Sequence, residues 1–322
     1  MFKIFCIWAF LLPLTVWQGY FEVPKVFVFL LGGLIILLYF LVNLKKLIIT
    51  KSDKWYLLWL LTLLVSSFLG EDLKTGILGG SYRHQGLIFF LCLWLVIKFK
   101  NLLGEKERLF LYKCVGVSVL IEAILVLFGF RLGTIGDINA VSGFLAIGIF
   151  FTYKFLPKSL VIIPLLGMVI NFSKTGFLSL IPYLFKRRNI PLLILATVVV
   201  FIIKPINSSS PFENRQVIWA HTVRLILEKP IFGYGPESNE VVFDKAFYKS
   251  GFPLSNLIID RSHNLFLDIT LWSGIIGLIF FCRLLYEIYI GLDNNYKKVF
   301  ISFLIYSMFQ PLSVSHWILF AL

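Results

Sequence analysis

Long apolar runs alternate with short polar breaks along almost the whole chain. The runs fall near 4–20, 25–42, 55–70, 86–99, 109–130, 139–155, 159–171, 176–186, 190–203, 264–290 and 299–312. Runs of this kind read as helices, because hydrocarbon offers no partner to a backbone N–H or C=O left outside its own segment. Several are shorter than the ~20 residues a perpendicular span needs. The pair 159–171 and 176–186, split by "NFSKTG", is therefore expected to include helices broken or buried within a bundle. Residues 4–20 look like a signal peptide, yet "VWQGYFEVPKVF" holds no small-x-small cleavage site and a second run starts at once. That stretch is read as the first span. The expected fold class is an all-α polytopic membrane protein of about eleven transmembrane helices with a truncated twelfth. After Pro311, "LSVSHWILFAL" is too short for a full span and reads as a half-helix folding back or a terminal stub.

One polar segment is long enough to fold on its own account. The pattern divides the chain into helices over 1–203, an outer loop over 204–262, and C-terminal helices over 263–322. Inside the loop, "SPFENRQVIWAHTVRLILEKP" predicts a helix near 211–229. Ser210 and Glu213 have capping-box spacing, Pro211 stands at the first helical position and Lys229-Pro230 stops it. Arg215, Trp219, Thr222 and Ile226 share one face of that helix. "FGYG" at 232–235 reads as a turn after it.

Composition sharpens the class. The chain is 59% hydrophobic and 15% charged, against roughly 25% charged for a soluble domain. The net charge of +13 does not point to nucleic acid, because the basic residues sit in short clusters between apolar runs and not in a stripe interleaved with aromatics. With the N-terminus inside, eighteen of the thirty Lys and Arg fall on inner segments, five on short outer ones and seven in 204–262. That asymmetry orients the chain and makes 204–262 extracytoplasmic. Cys6, Cys92, Cys114 and Cys282 lie in or beside apolar runs and form no CxxC pair, so they suggest neither a metal site nor a disulfide framework.

Under that topology the unusual polar residues gather on the outer side. They are Arg83 and His84 in "GSYRHQG", Arg131, Asp137 and Asn139 in "RLGTIGDINAVSG", Lys174 in "NFSKTG", Arg215 in the loop helix, and Arg261, His263 and Asn264 in "DRSHN". Each Arg taken singly reads as an interfacial anchor; their convergence on one face suits an anionic lipid headgroup. A pyrophosphate fits best, since guanidinium forks match phosphate oxygens and stay charged. His263 is the side chain suited to accept a proton near neutral pH, and Asn264 beside it can hydrogen-bond a sugar or orient the loop. Glu122 lies in mid-span, where an ionisable group costs free energy unless partnered. Glu71-Asp72 is an adjacent acidic pair with no third ligand nearby, a poor metal site.

These stretches resemble the O-antigen ligase and polymerase superfamily of bacterial membrane glycosyltransferases. The likeness is strongest over 211–281, where "NRQVIWA" precedes "KPIFGYG" and "HNLFLDITLWSGIIG" is similar to the family's His-Asn segment with its Gly-x-x-Gly span. "YRHQG", "GTIGDIN" and "FSKTG" follow its shorter upstream motifs in order. The resemblance implies a C-type glycosyltransferase of the bacterial cytoplasmic membrane. Such an enzyme moves a glycan from undecaprenyl pyrophosphate to a glycan, glycolipid or protein hydroxyl, with no cofactor and no metal. By motif position, His263 corresponds to the family's essential His, Arg215 and Arg83 to arginines on the donor pyrophosphate, and Lys174 to a further basic position. Trp272 stands where many members carry an acid, which leaves the acceptor open. Ligase, polymerase and protein O-glycosyltransferase share this donor chemistry. From other classes, a flippase for lipid-linked glycans would use the same cations, and a metal-dependent sugar transferase would use Glu71-Asp72.

Overall fold

The structure, a computed structural model, describes residues 1–18, 20–184, 215–250 and 259–322. The described residues form helices and turns. The first half holds α1 (Phe2–Leu11), α2 (Glu22–Val42), α3 (Lys51–Leu69), α4 (Leu73–Leu78) and α5 (Leu87–Asn101). It continues with α6 (Glu105–Leu127), α7 (Ile138–Phe155), α8 (Ile162–Asn171), α9 (Lys174–Ser179) and α10 (Ile181–Leu184). The second holds α11 (Arg215–Glu228), α12 (Asn239–Ser250), α13 (Leu265–Gly291), α14 (Asn294–Ser307) and α15 (Val314–Ala321).

Four of these, α2, α6, α7 and α13, are long and apolar enough to cross a membrane by length and composition. The remaining expected spans are shorter or carry charge. The first ends early: Pro13, with no backbone N–H, closes α1 into a short 3₁₀ turn at Leu12–Leu14, and Trp17 and Tyr20 then pair their backbones. The run at 159–171 is split between a 3₁₀ turn at Lys158–Val161 and α8. The expected span at 190–203 and the Ser210–Glu213 cap lie outside the described residues. The C-terminal segment is a true helix, α15, with Val314, His316, Trp317 and Ile318 buried, so it is no loose stub.

The chain divides into two compact units. One comprises Met1–Ile36, Val96–Asn207 and Leu292–Leu322; the other comprises Leu37–Leu95 and Ser208–Gly291. In the first, Glu122 finds the partner the sequence could not name, Thr134, whose backbone N donates at 3.1 Å and whose hydroxyl also meets the carboxyl. Lys25, fully buried, donates to the carbonyls of Thr15, Phe21 and Thr134 at 2.8, 2.8 and 2.5 Å. An intramembrane charge is tolerated when backbone oxygens surround it in this way.

The second unit is built on α3 against α13. Trp59 of α3 packs between Phe90 and Phe281, with ring centroids 5.0 and 4.9 Å apart. Tyr56 donates to Phe90 O at 2.9 Å and Trp94 to Asp53 at 2.9 Å. Lipid tails are as apolar as leucine, so contacts and hydrogen bonds of this kind, rather than water exclusion, hold helices together.

Within α13 the helix breaks at Gly274, whose φ of 64° and ψ of −168° are non-helical. The break is stitched to the turn at 230–235. Tyr234 N donates to Leu271 O at 2.9 Å, Gly235 N to Trp272 O at 2.9 Å, and Ile275 N to Pro230 O at 2.8 Å. A Cβ on Gly274 would overlap the Ile231 carbonyl. "FGYG" is thus a joint against α13, and its amides at 234 and 235 are spent on helix carbonyls.

Candidate active site

Three loops of the second unit carry the candidate chemistry. The first, between α4 and α5, bears Arg83. The second links α11 to α12 and bears Glu237. The third precedes α13 and bears Asp260, Arg261, Ser262, His263 and Asn264.

The third loop is tied at almost every residue. Ser262 N donates to Asp268 Oδ1 at 2.8 Å, and Ser262 O accepts from Trp219 Nε1 at 2.9 Å. Asn264 Oδ1 caps α13, accepting from Phe266 N at 3.0 Å and Leu267 N at 3.2 Å. Its Oδ1 is therefore a structural group. Between these anchors His263, half-buried, takes a left-handed φ of 60°. Of the five non-glycine residues with positive φ among the described residues, three are His84, Glu237 and His263, one in each loop. Such backbone costs about 1–3 kcal/mol each and collects where function over-determines the fold.

Arg83 meets this loop directly: its Nε donates to Asp260 Oδ2 at 2.5 Å. Burial alone would raise the Asp260 carboxyl, but Arg83 and Arg261 hold it below its ordinary range. Asp260 is thus an ionised group shared among the cations. Arg215 opens α11 and lies one turn before Trp219 on the same face. Because the Trp219 indole bonds the carbonyl next to His263, that face of α11 lies against the His263 loop.

Arg261 is held inside the protein. It is 3% exposed, stacks on Trp272 with its Cζ 4.3 Å from the ring, donates to Gln85 Oε1 at 3.0 Å and pairs with Glu237. Trp272 in turn donates to Asn239 Oδ1 at 2.6 Å, and Asn239 to Asp268 Oδ1 at 2.9 Å. Gln85, Glu237, Asn239 and Asp268 escaped the sequence reading. The available signals were Asp268, an acid one turn into an apolar helix, and the "PESNE" run directly after "FGYG".

Lys174 belongs to the other unit, as the first residue of α9. Its predecessor Ser173 caps that helix and donates to Asn139 Oδ1 at 2.8 Å. Asp137 caps α7 through Ala140 N at 2.8 Å, and Arg131 donates to the carbonyls of Ile170 and Asn171 at 3.2 and 3.4 Å. These polar residues hold backbone together.

The acidic pair is committed elsewhere. Glu71 accepts from Lys229 and Lys245, each at 2.8 Å, and those bonds lower its carboxyl to about 2. Asp72 caps α4, accepting from Lys74 N at 3.0 Å and Thr75 Oγ1 at 2.6 Å. Both carboxylates are used, and no His, Cys, Asp and Glu cluster of metal-binding kind occurs among the described residues.

Apolar helices of spanning length, with a buried polar network under a strained histidine loop, define a multi-pass helical membrane protein with an enzyme-like site. A profile of the O-antigen ligase family matches residues 116–282, just over half of the 322 residues. The chain belongs to the O-antigen ligase family, a family of membrane enzymes of the ligase and polymerase type. The match takes in Lys174, Arg215, Arg261, His263 and Asn264, whereas Arg83 lies upstream of it. No curated protein matches the chain.

Proposed function

We propose that the protein transfers a glycan from an undecaprenyl-pyrophosphate donor to a hydroxyl acceptor at the outer face of the cytoplasmic membrane, in one metal-independent, inverting displacement. The observation that carries this reading is the single loop in which His263, strained and anchored on both sides, sits with Asp260 holding Arg83 and Ser262 meeting the Arg215 face of α11. His263 takes the proton of the acceptor hydroxyl. The acceptor oxygen then attacks the anomeric carbon, and the bond from that carbon to the pyrophosphate oxygen breaks. The electron pair leaves on undecaprenyl pyrophosphate, where Arg215 and Arg83 stabilise the charge. Preorganised cations at the leaving group supply more than the general base, whose share is typically ~10²–10⁴-fold.

Arg261 acts here from inside the protein, and Asn264 is assigned to the substrate. The topology that goes with this reading has eleven spans with the N-terminus in the cytoplasm. It is supported by the bias of Lys and Arg toward one set of connecting segments.

The test is His263→Ala, compared with wild type at matched amounts of folded protein. Binding of the lipid-linked donor should persist, while single-turnover transfer falls by ~10²-fold or more. Near-normal transfer per folded molecule would reduce His263 to a helix-capping loop residue and remove the base from the scheme.

A further inference from the structure

Glu237 lies in a segment that reads from sequence as a plain turn, yet its carboxylate joins two loops of the site. One oxygen, Oε2, accepts from Gly80 N at 2.7 Å and from Gln85 N at 2.8 Å. Those amides flank Arg83 on either side along the chain. The other oxygen, Oε1, pairs with Arg261, two residues before His263. Gln85 returns to the same guanidinium through Oε1 at 3.0 Å. The side chains of Glu237 and Arg261 are each 4% exposed. The backbone at Glu237 is itself in the left-handed region, with φ of 56°, a strain that no turn requirement demands of a glutamate.

A buried ion pair alone is weak evidence of any role beyond the fold, since its desolvation offsets most of its attraction. The three-way convergence is more specific. A hydrophobic pair would fill the same volume but could not hold two backbone amides from one loop and a guanidinium from another. Glu237 sits, moreover, two residues before Asn239, which donates to Asp268 Oδ1, the same oxygen that accepts from Ser262 N. A second chain of hydrogen bonds thus reaches the His263 loop from the same segment.

We propose that Glu237 is a positioning residue that fixes Arg83 and His263 relative to one another, so that the leaving-group cation and the base act on one substrate. This rests on the transfer reaction proposed above. Glu237 touches no reacting atom; it acts by setting two loops with one side chain.

Glu237→Gln is the discriminating change, because a carboxamide offers one acceptor where three N–H donors converge, and turns an N–H toward at least one of them. Glu237→Asp keeps the charge but draws the carboxylate back by one methylene, and serves where the glutamine variant does not fold. Hydrogen exchange in detergent should rise together in peptides covering 79–86 and 259–264, with α3 and the inner part of α13 unchanged. On matched folded protein, kcat for transfer should fall at least tenfold and donor KM rise severalfold. In a His263→Ala background the kcat loss caused by Glu237→Gln should be clearly smaller than in wild type, which a merely stabilising ion pair would not produce. Exchange rising in one loop alone, or an undiminished kcat loss in the His263→Ala background, overturns the proposal. A wild type without transfer would sink the reaction, and the exchange pattern would still decide whether Glu237 couples the two loops.

Discussion

Gly274→Ala tests the joint in α13 more sharply than any side-chain deletion. The backbone there, at φ 64° and ψ −168°, lies in a region that costs a residue with a Cβ about 1–3 kcal/mol. The new methyl would also run into the Ile231 carbonyl, so the turn at 230–235 must retreat. Retreat breaks the bonds from Tyr234 N, Gly235 N and Ile275 N, each worth about 1 kcal/mol net. Losing two of the three with a mid-range strain gives about 4 kcal/mol, near a thousandfold in the equilibrium between joined and open forms. Ile275→Ala is the control: its side chain is 47% exposed and its backbone bond is retained, so it should cost less than about 1 kcal/mol. The assay is the fraction of detergent-solubilised protein that stays monodisperse after graded heating. Gly274→Ala should lose its folded form at clearly lower temperature, with Ile275→Ala close to wild type. Equal heat resistance for Gly274→Ala and wild type would refute the stitched joint.

Two further outcomes follow from the site and the topology. Arg215→Lys keeps a charge but loses the planar fork, so transfer should drop at least roughly tenfold, about 1.4 kcal/mol in the barrier; equal single-turnover rates would leave only a general electrostatic role. In a background without native cysteines, a cysteine at Ser209 or Ser250 should react with a membrane-impermeant thiol reagent in intact cells while one at Asn294 does not. The reverse pattern would invert the orientation.

What could be read from the sequence was whatever has a period or a terminator. The apolar runs became α2, α6, α7 and α13, and the loop helix ends at Glu228, against the Lys229-Pro230 stop. What could not be read was partnership across long separations. Glu71 looks like half of a metal pair until Lys229 and Lys245 arrive from 158 and 174 positions away. Nothing near Arg261 in sequence announces that Trp272, Gln85 and Glu237 will surround it. Helix α12, "NEVVFDKAFYKS", has too little apolar periodicity to stand out, and Glu237 has none. The candidate base was legible because a histidine at the lip of an apolar run is chemically conspicuous; the residues that hold it there are ordinary glutamate, asparagine and aspartate.

The clamp at Glu237 also has a consequence for biosynthesis. Gln85 and Glu237 are separated by 152 residues, so at roughly 5–20 residues per second the ribosome delivers the first loop about eight to thirty seconds before its carboxylate. Through that interval helices α5 to α10 are made while the amides at Gly80 and Gln85 lack the carboxylate that accepts from them in the folded protein. Arg261 arrives later still, 24 residues after Glu237. The site is therefore among the last parts of the molecule to assemble, and it closes only once α13 has been made. A chain stalled before Glu237 would hold the Arg83 loop without the carboxylate that joins it to Arg261.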